Sequence, residues 1–260
     1  MKKATIVGMT FCFFVVVFAA PLAYAQSTIP ITKSDYMDKV EFDGRWTFPT
    51  EWKPSSHDNI VDQRHVVIRT AHQDNYIYVM LDATIDTTID NNKDNAMVCF
   101  DAKSDQSVKP DSNDYCFKIR LGSDKAFTIQ GSDSGEFKSA GNHEDLIAVG
   151  GTSDENDRYT PVPHATYEFR IPIELLERTN TYGFYLQVFD YSNATTYAWP
   201  SEIIYEKTEI PSPAKWGIIY SPDKSLPEYD LPLLVLILGS ISAIILSSKN
   251  KKLNLIYINR

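Results

Sequence analysis

The chain has 260 residues, of which 43% are hydrophobic and 23% charged, with a formal net charge of −9. That is the make-up of a globular protein, and its acidity disfavours nucleic acid and anionic membrane surfaces as partners while suiting divalent cations and neutral ligands. Setting aside Lys2, Lys3, Lys249, Lys251, Lys252 and Arg260 at the two ends takes the charge of the remainder from −9 to −15.

Lys2 and Lys3 precede an apolar run from Ile6 to Ala20, and Ala23-Tyr24-Ala25 supplies a small-x-small cleavage site. Residues 1–25 are therefore expected to be a secretory signal peptide cut before Gln26, with an uncleaved anchor as the other reading. Residues 26–39 form an N-terminal lead. A β-sandwich domain is expected over 40–210, and 211–230, with Pro211, Pro213, Pro222 and Pro227, read as a stalk. The uncharged segment 231–248 is long enough to cross a bilayer as one helix. The lysines after it place the basic tail 249–260 in the cytoplasm and the domain outside. The sequence expectation is a cell-surface, single-pass protein. The "LPEYDLP" before the span also resembles C-terminal sorting tags, so processing by a sortase-like enzyme stays open.

Within the domain, strand signals recur. "HVVIRTA" (65–71), a polar "HQDN" and "YIYVMLDATI" (76–85) read as a hairpin. "YIYVMLD" is apolar on both faces, as expected of a central strand covered on two sides. "AMVCFD" (96–101), "YCFKIRL" (115–121), "AFTIQ" (126–130), "LIAVG" (146–150), "TYEFRI" (166–171) and "YGFYLQVFDY" (182–191) follow. Tyr167, Phe169 and Ile171 alternate with Glu168 and Arg170. One short helix is expected at 172–178, opened by Pro172. Many strands with one small helix give an all-β, antiparallel β-sandwich.

Cys12 leaves with the signal. Cys99 and Cys116 sit on strand segments expected to be neighbours, so outside the cell they most simply form one disulfide; two buried free thiols are the alternative. Asn193-Ala194-Thr195 is an N-glycosylation sequon.

The order of segments resembles the family 9 carbohydrate-binding modules and related DOMON-like β-sandwiches. The residues carrying it are Asp43, Gly44, Trp52, Tyr78, Asp82, Glu168, Arg170, Ile171, Pro172, Asp190 and Trp199. The whole sequence is also similar to secreted surface proteins of ammonia-oxidising archaea. The family resemblance implies that Trp52 plugs one end of the sandwich, that sugar binding would use a tryptophan pair, and that a structural calcium is present. The chain's candidates for a sugar platform are Trp46 and Trp199, with Arg45 and Gln187 for hydroxyls. Calcium needs several oxygen ligands, and Asp82, Asp86, Asp90 and Asp94 cluster in "DATIDTTIDNNKDNA", with a second acidic group at Asp154, Glu155 and Asp157. His57, His65, His72, His143 and His164 show no zinc-type spacing, and no nucleophile motif stands out, so no catalysis is expected. Some DOMON-like sandwiches hold b-type haem between Met and His; Met80 or Met97 with His72 or His164 are the residues that would serve. The functional expectation is a non-catalytic surface module for a glycan or another envelope component. The alternatives are an adhesive envelope protein contacting other proteins and a haem electron-transfer domain.

Overall fold

A computed structural model describes residues 27–60, 65–200 and 210–222. The expected signal peptide, membrane span and basic tail lie outside the described residues, among which no helix is long and apolar enough to cross a membrane.

Among the described residues the fold is a β-sandwich of fourteen strands: β1 Thr28–Pro30, β2 Thr32–Lys33, β3 Ser56–Ile60, β4 Val66–Gln73, β5 Tyr76–Ala83, β6 Asn95–Asp101, β7 Asp114–Arg120, β8 Phe127–Gly131, β9 Phe137–Ala140, β10 Ile147–Thr152, β11 Ala165–Pro172, β12 Thr181–Asp190, β13 Thr195–Trp199 and β14 Gly217–Tyr220. Sheet A runs β1-β14-β12-β6-β7-β8-β9, with β13 also on β12. Sheet B runs β10-β11-β5-β4-β2, with β3 also on β4. Pairing is antiparallel except at β1–β14 and β2–β4. The expected helix at 172–178 is a single 3-10 turn, Ile173–Leu175.

Side-chain alternation along the strands divides the molecule into layers. Ile77, Val79 and Leu81 of β5, Tyr167, Phe169 and Ile171 of β11, Val98 and Phe100 of β6, and Phe184 and Leu186 of β12 meet between the sheets. The alternate residues of β5, Tyr78 and Met80, face the other way into a second cluster with Trp46 and Trp52. β5 is apolar on both faces because segment 37–52 covers the outside of sheet B. Outside sheet A, Met97, Cys99, Cys116, Tyr185 and Trp216 form a third cluster.

Two sequence expectations are corrected by this packing. The lead and the stalk both contribute to the domain: β14 pairs with β12 and β1, and Trp216 is buried, stacked between Phe137 and Tyr185. Pro211, Pro213 and Pro222, which suggested a stalk, instead flank a short strand that lies between β1 and β12, outside its paired residues Gly217–Tyr220. The β4–β5 hairpin turns at Asp74-Asn75, between the paired Gln73 and Tyr76. Asp74 takes a φ of 53°, which a short polar side chain tolerates. Cys99 and Cys116 are direct cross-strand partners on β6 and β7 and form a disulfide.

Candidate functional site

The two tryptophans of segment 42–56 are structural. Trp52 donates its indole N–H to Glu168 Oε1 at 2.9 Å, and the Gly44 amide donates to Glu168 Oε2 at 2.8 Å. Glu168 projects outward from β11 by strand alternation, yet it is fully buried because the Gly44–Trp52 stretch lies over it. Burial pushes its carboxyl up to about 8, against the pull of these two donors. Gly44 sits at φ 80°, and a Cβ there would fall 2.5 Å from the Gly151 Cα; only glycine combines that backbone with so close an approach. Trp46 is 3% exposed. Its N–H donates to the Phe48 carbonyl, Tyr159 meets its ring edge-on, and the Arg69 and Arg158 guanidinium groups each lie 5.6 Å from the ring centre.

The expected sugar platform is not assembled. Trp199 is 9% exposed and packs on Phe184 between the sheets. Gln187 is buried on the outer side of sheet A, accepting the Tyr185 hydroxyl at 2.6 Å. Arg45 is exposed beside Asp43 and Asp154, at 3.7 and 3.6 Å. Trp46 and Trp199 thus belong to separate clusters, one outside sheet B and one in the central core.

The open aromatic surface lies next to the buried tryptophans. Tyr36 is 56% exposed, and with Phe48 and Pro54 it walls a notch of about 390 Å³ rimmed by Lys39, Thr50, Glu51 and Lys53. Lys39 Nζ sits 4.7 Å from the Tyr36 ring centre. Glu51 holds the notch in shape by accepting the Glu41 and Thr47 amides at 2.8 Å each. Burial raises its carboxyl above the usual value, against those two amides. This combination of an open ring, an apolar wall and a charged rim suits a ring-shaped polyol. Tyr36 lies in the lead, which sequence reading set outside the domain; its aromatic side chain was the one available signal.

The four aspartates expected to share one calcium separate into two groups. Asp86 and Asp94 join Asp190, all three buried with a carboxylate oxygen of each within 4.8 Å of the others. Asp90 stays at the rim, its amide donating to Asp94 Oδ2 at 2.7 Å and its carboxylate 3.7 Å from Lys93 Nζ. Asp94 Oδ1 accepts the Tyr191 amide. Asp190 accepts from Ser192, from the Asn193 amide and from the Asn193 side chain. Neither Asp86 oxygen receives a hydrogen bond of acceptable geometry, and the nearby Tyr167 hydroxyl is likewise without a partner. Burial first, then the Asp94 and Asp190 charges, push Asp86 up to about 7. Asp86, with two unpartnered oxygens, meets the carboxylates of Asp94 and Asp190, and the three together match the all-oxygen donor set of calcium.

Asp82 instead joins Asp157 and His164. His164 Nε2 faces Asp82 Oδ1, and His164 Nδ1 lies 2.7 Å from the Val162 carbonyl oxygen and 2.8 Å from Ser153 Oγ. Ser153, His164 and Asp82 thus form a hydrogen-bonded chain like that of a nucleophile, base and acid. Ser153, however, is 3% exposed and its Oγ accepts the His164 amide, so the chain positions a loop and presents no nucleophile to a substrate. Of the haem candidates, Met80 packs among Trp46 and Trp52, Met97 lies outside the opposite sheet, and His72 is buried on β4.

No protein-family model matches the chain, and no curated protein matches it. Among solved structures, it is similar to a family 9 carbohydrate-binding module from Caldicellulosiruptor kristjanssonii, in complex with glucose in one structure and with cellotriose in another. Both share 15% identity with this chain at a TM-score of 0.48; 75% of this chain is covered in each case, and 95% and 93% of theirs.

Proposed function

We propose that the protein is a non-catalytic saccharide-binding module whose ligand seats in the Tyr36–Phe48 notch, and that Asp86, Asp94 and Asp190 hold one calcium ion as a structural clamp. The observation that carries the first part is the Tyr36 ring, more than half exposed beside Phe48 and Pro54 and within a charged rim. Sugars present C–H faces that pack on aromatic rings and hydroxyls that need a few donors and acceptors. Lys39, Lys53 and Thr50 offer donors at the rim. The calcium part rests on Asp86, a buried carboxylate neither of whose oxygens receives a hydrogen bond of acceptable geometry. Asp86 ends the β5 side of sheet B, while Asp94 and Asp190 flank β6 and β12 of sheet A, so an ion there joins the two sheets. The Cys99–Cys116 disulfide fits an oxidising compartment.

A glycan array followed by calorimetry on the full chain, with and without calcium, tests this reading. Tyr36→Ala and Phe48→Ala are each expected to weaken binding of the selected saccharide at least tenfold, about 1.4 kcal/mol. Calcium removal is expected to lower the melting temperature. Full affinity in both aromatic variants, or no saccharide bound by the wild type, refutes the binding site; an unchanged melting temperature in chelator refutes the clamp.

A further inference from the structure

Asp82, Asp157 and His164 form a buried group that neither the saccharide notch nor the calcium clamp uses. They come from three places: Asp82 from β5, Asp157 from the loop after β10, and His164 from the residue before β11. Loop 153–164 is closed at its neck by two bonds, Ser153 N–H to the His164 carbonyl at 2.9 Å and His164 N–H to Ser153 Oγ at 2.9 Å. One donor atom from each of the three side chains then falls within 4.8 Å of the others.

The hydrogen inventory of this group does not close on its own. The Val162 carbonyl can only accept, so His164 Nδ1 carries the hydrogen. In the neutral ring Nε2 is then a bare lone pair, and it is turned onto Asp82 Oδ1. Asp82 is 0% exposed and its second oxygen, Oδ2, has no partner. Asp157 Oδ1 accepts the Tyr159 and Thr160 amides at 2.7 and 3.1 Å, while its Oδ2 is buried and unpartnered. With the ring neutral, lone pairs from an imidazole and two carboxylates converge with no donor among them; a protonated ring would give Nε2–H to Asp82 Oδ1 and still leave Asp82 Oδ2 and Asp157 Oδ2 bare. One proton would satisfy a single pair; a divalent cation satisfies all three groups at once.

We propose that Asp82, Asp157 and His164 bind a divalent transition-metal ion of the zinc class. The imidazole nitrogen separates this site from the all-oxygen cluster at Asp86, because nitrogen donors suit zinc, cobalt and manganese better than calcium. Metal-bound histidines characteristically give their other ring N–H to a carbonyl or carboxylate, which fixes the tautomer, and Val162 does this here. The ion fastens loop 153–164 to β5. That loop carries Arg158 and Tyr159, which pack against the Trp46 ring, so the metal secures the cover over the outer face of sheet B.

The full chain, stripped with chelator and titrated with zinc by calorimetry, tests the site. One zinc is expected at this site, and Asp157→Asn is expected to weaken it more than about tenfold. Asn at 157 keeps a side-chain oxygen for the Tyr159 and Thr160 amides, so the circular dichroism should be unchanged. Asp94→Asn, in the other cluster, should leave the zinc titration as it is. Independently of any variant, cobalt bound to the wild-type chain should shift the NMR ring signals of one histidine. The proposal is overturned by any of four results: no zinc uptake, wild-type zinc affinity in Asp157→Asn, zinc lost in Asp94→Asn but not in Asp157→Asn, or no shifted histidine at saturating cobalt.

Discussion

Replacing Glu168 by Gln changes one atom of a buried carboxyl that ties the cover to sheet B. Its two oxygens each receive one donor, the Trp52 indole N–H and the Gly44 amide. An amide has a single acceptor oxygen, so one of those donors must face an NH₂ group. A buried donor left without a partner costs about 1–3 kcal/mol, so Glu168→Gln should destabilise by about 2 kcal/mol. For a domain of this size that corresponds to a melting temperature lower by roughly 4–8 °C. Trp52→Phe removes the indole donor from the same pair. Coupling between the two sites should make the double variant less destabilised than the sum of the singles. Thermal unfolding followed by tryptophan fluorescence measures all three. The pH dependence carries a definite sign. The folded carboxyl, raised by burial to about 8, lies above the ordinary 4.5. Its protonation therefore favours the fold fully below pH 4.5, and that contribution is lost as pH rises through about 8. Wild-type stability minus that of Glu168→Gln should fall across this window. A variant melting within about 1 °C of wild type, which corresponds to less than ~0.5 kcal/mol, or a difference curve that rises with pH, would falsify the assignment of Glu168 as the buried tie.

Two further outcomes follow from the packing. Cys99 and Cys116 are 17 residues apart, a loop whose closure is worth about 3 kcal/mol; Cys99→Ser with Cys116→Ser should lower the urea midpoint accordingly without altering the strand signal in circular dichroism. Gly44→Ala forces a Cβ to within 2.5 Å of the Gly151 Cα at a φ of 80°, so it should destabilise by more than about 2 kcal/mol and loosen the Trp46 environment, read as a red shift in tryptophan emission.

The long strands, the layered core and the disulfide were legible in the chain itself. Alternation in "TYEFRI" and two-sided hydrophobicity in "YIYVMLD" are local properties with a period of two, and each strand obeys its own pattern. Cys99 and Cys116 sit on segments that pair as consecutive strands, a connection short enough to anticipate. The short strands β1, β2, β13 and β14 were not legible, because three to five residues, or two in β2, carry no period and take their conformation from the neighbours they pair with. The roles of the charged and aromatic side chains were likewise set by the tertiary structure. Trp46 reads in the chain as a ligand-platform candidate and Trp52 as a plug only by family resemblance, until the fold lays both over β5. "DATIDTTIDNNKDNA" reads as one acidic cluster, yet strand direction sends Asp82 out through sheet B while Asp86 turns to the other side to meet Asp94 and Asp190. His164 reaches Asp82 across 82 residues of sequence. Such a meeting depends on register and loop path, and chain spacing encodes neither.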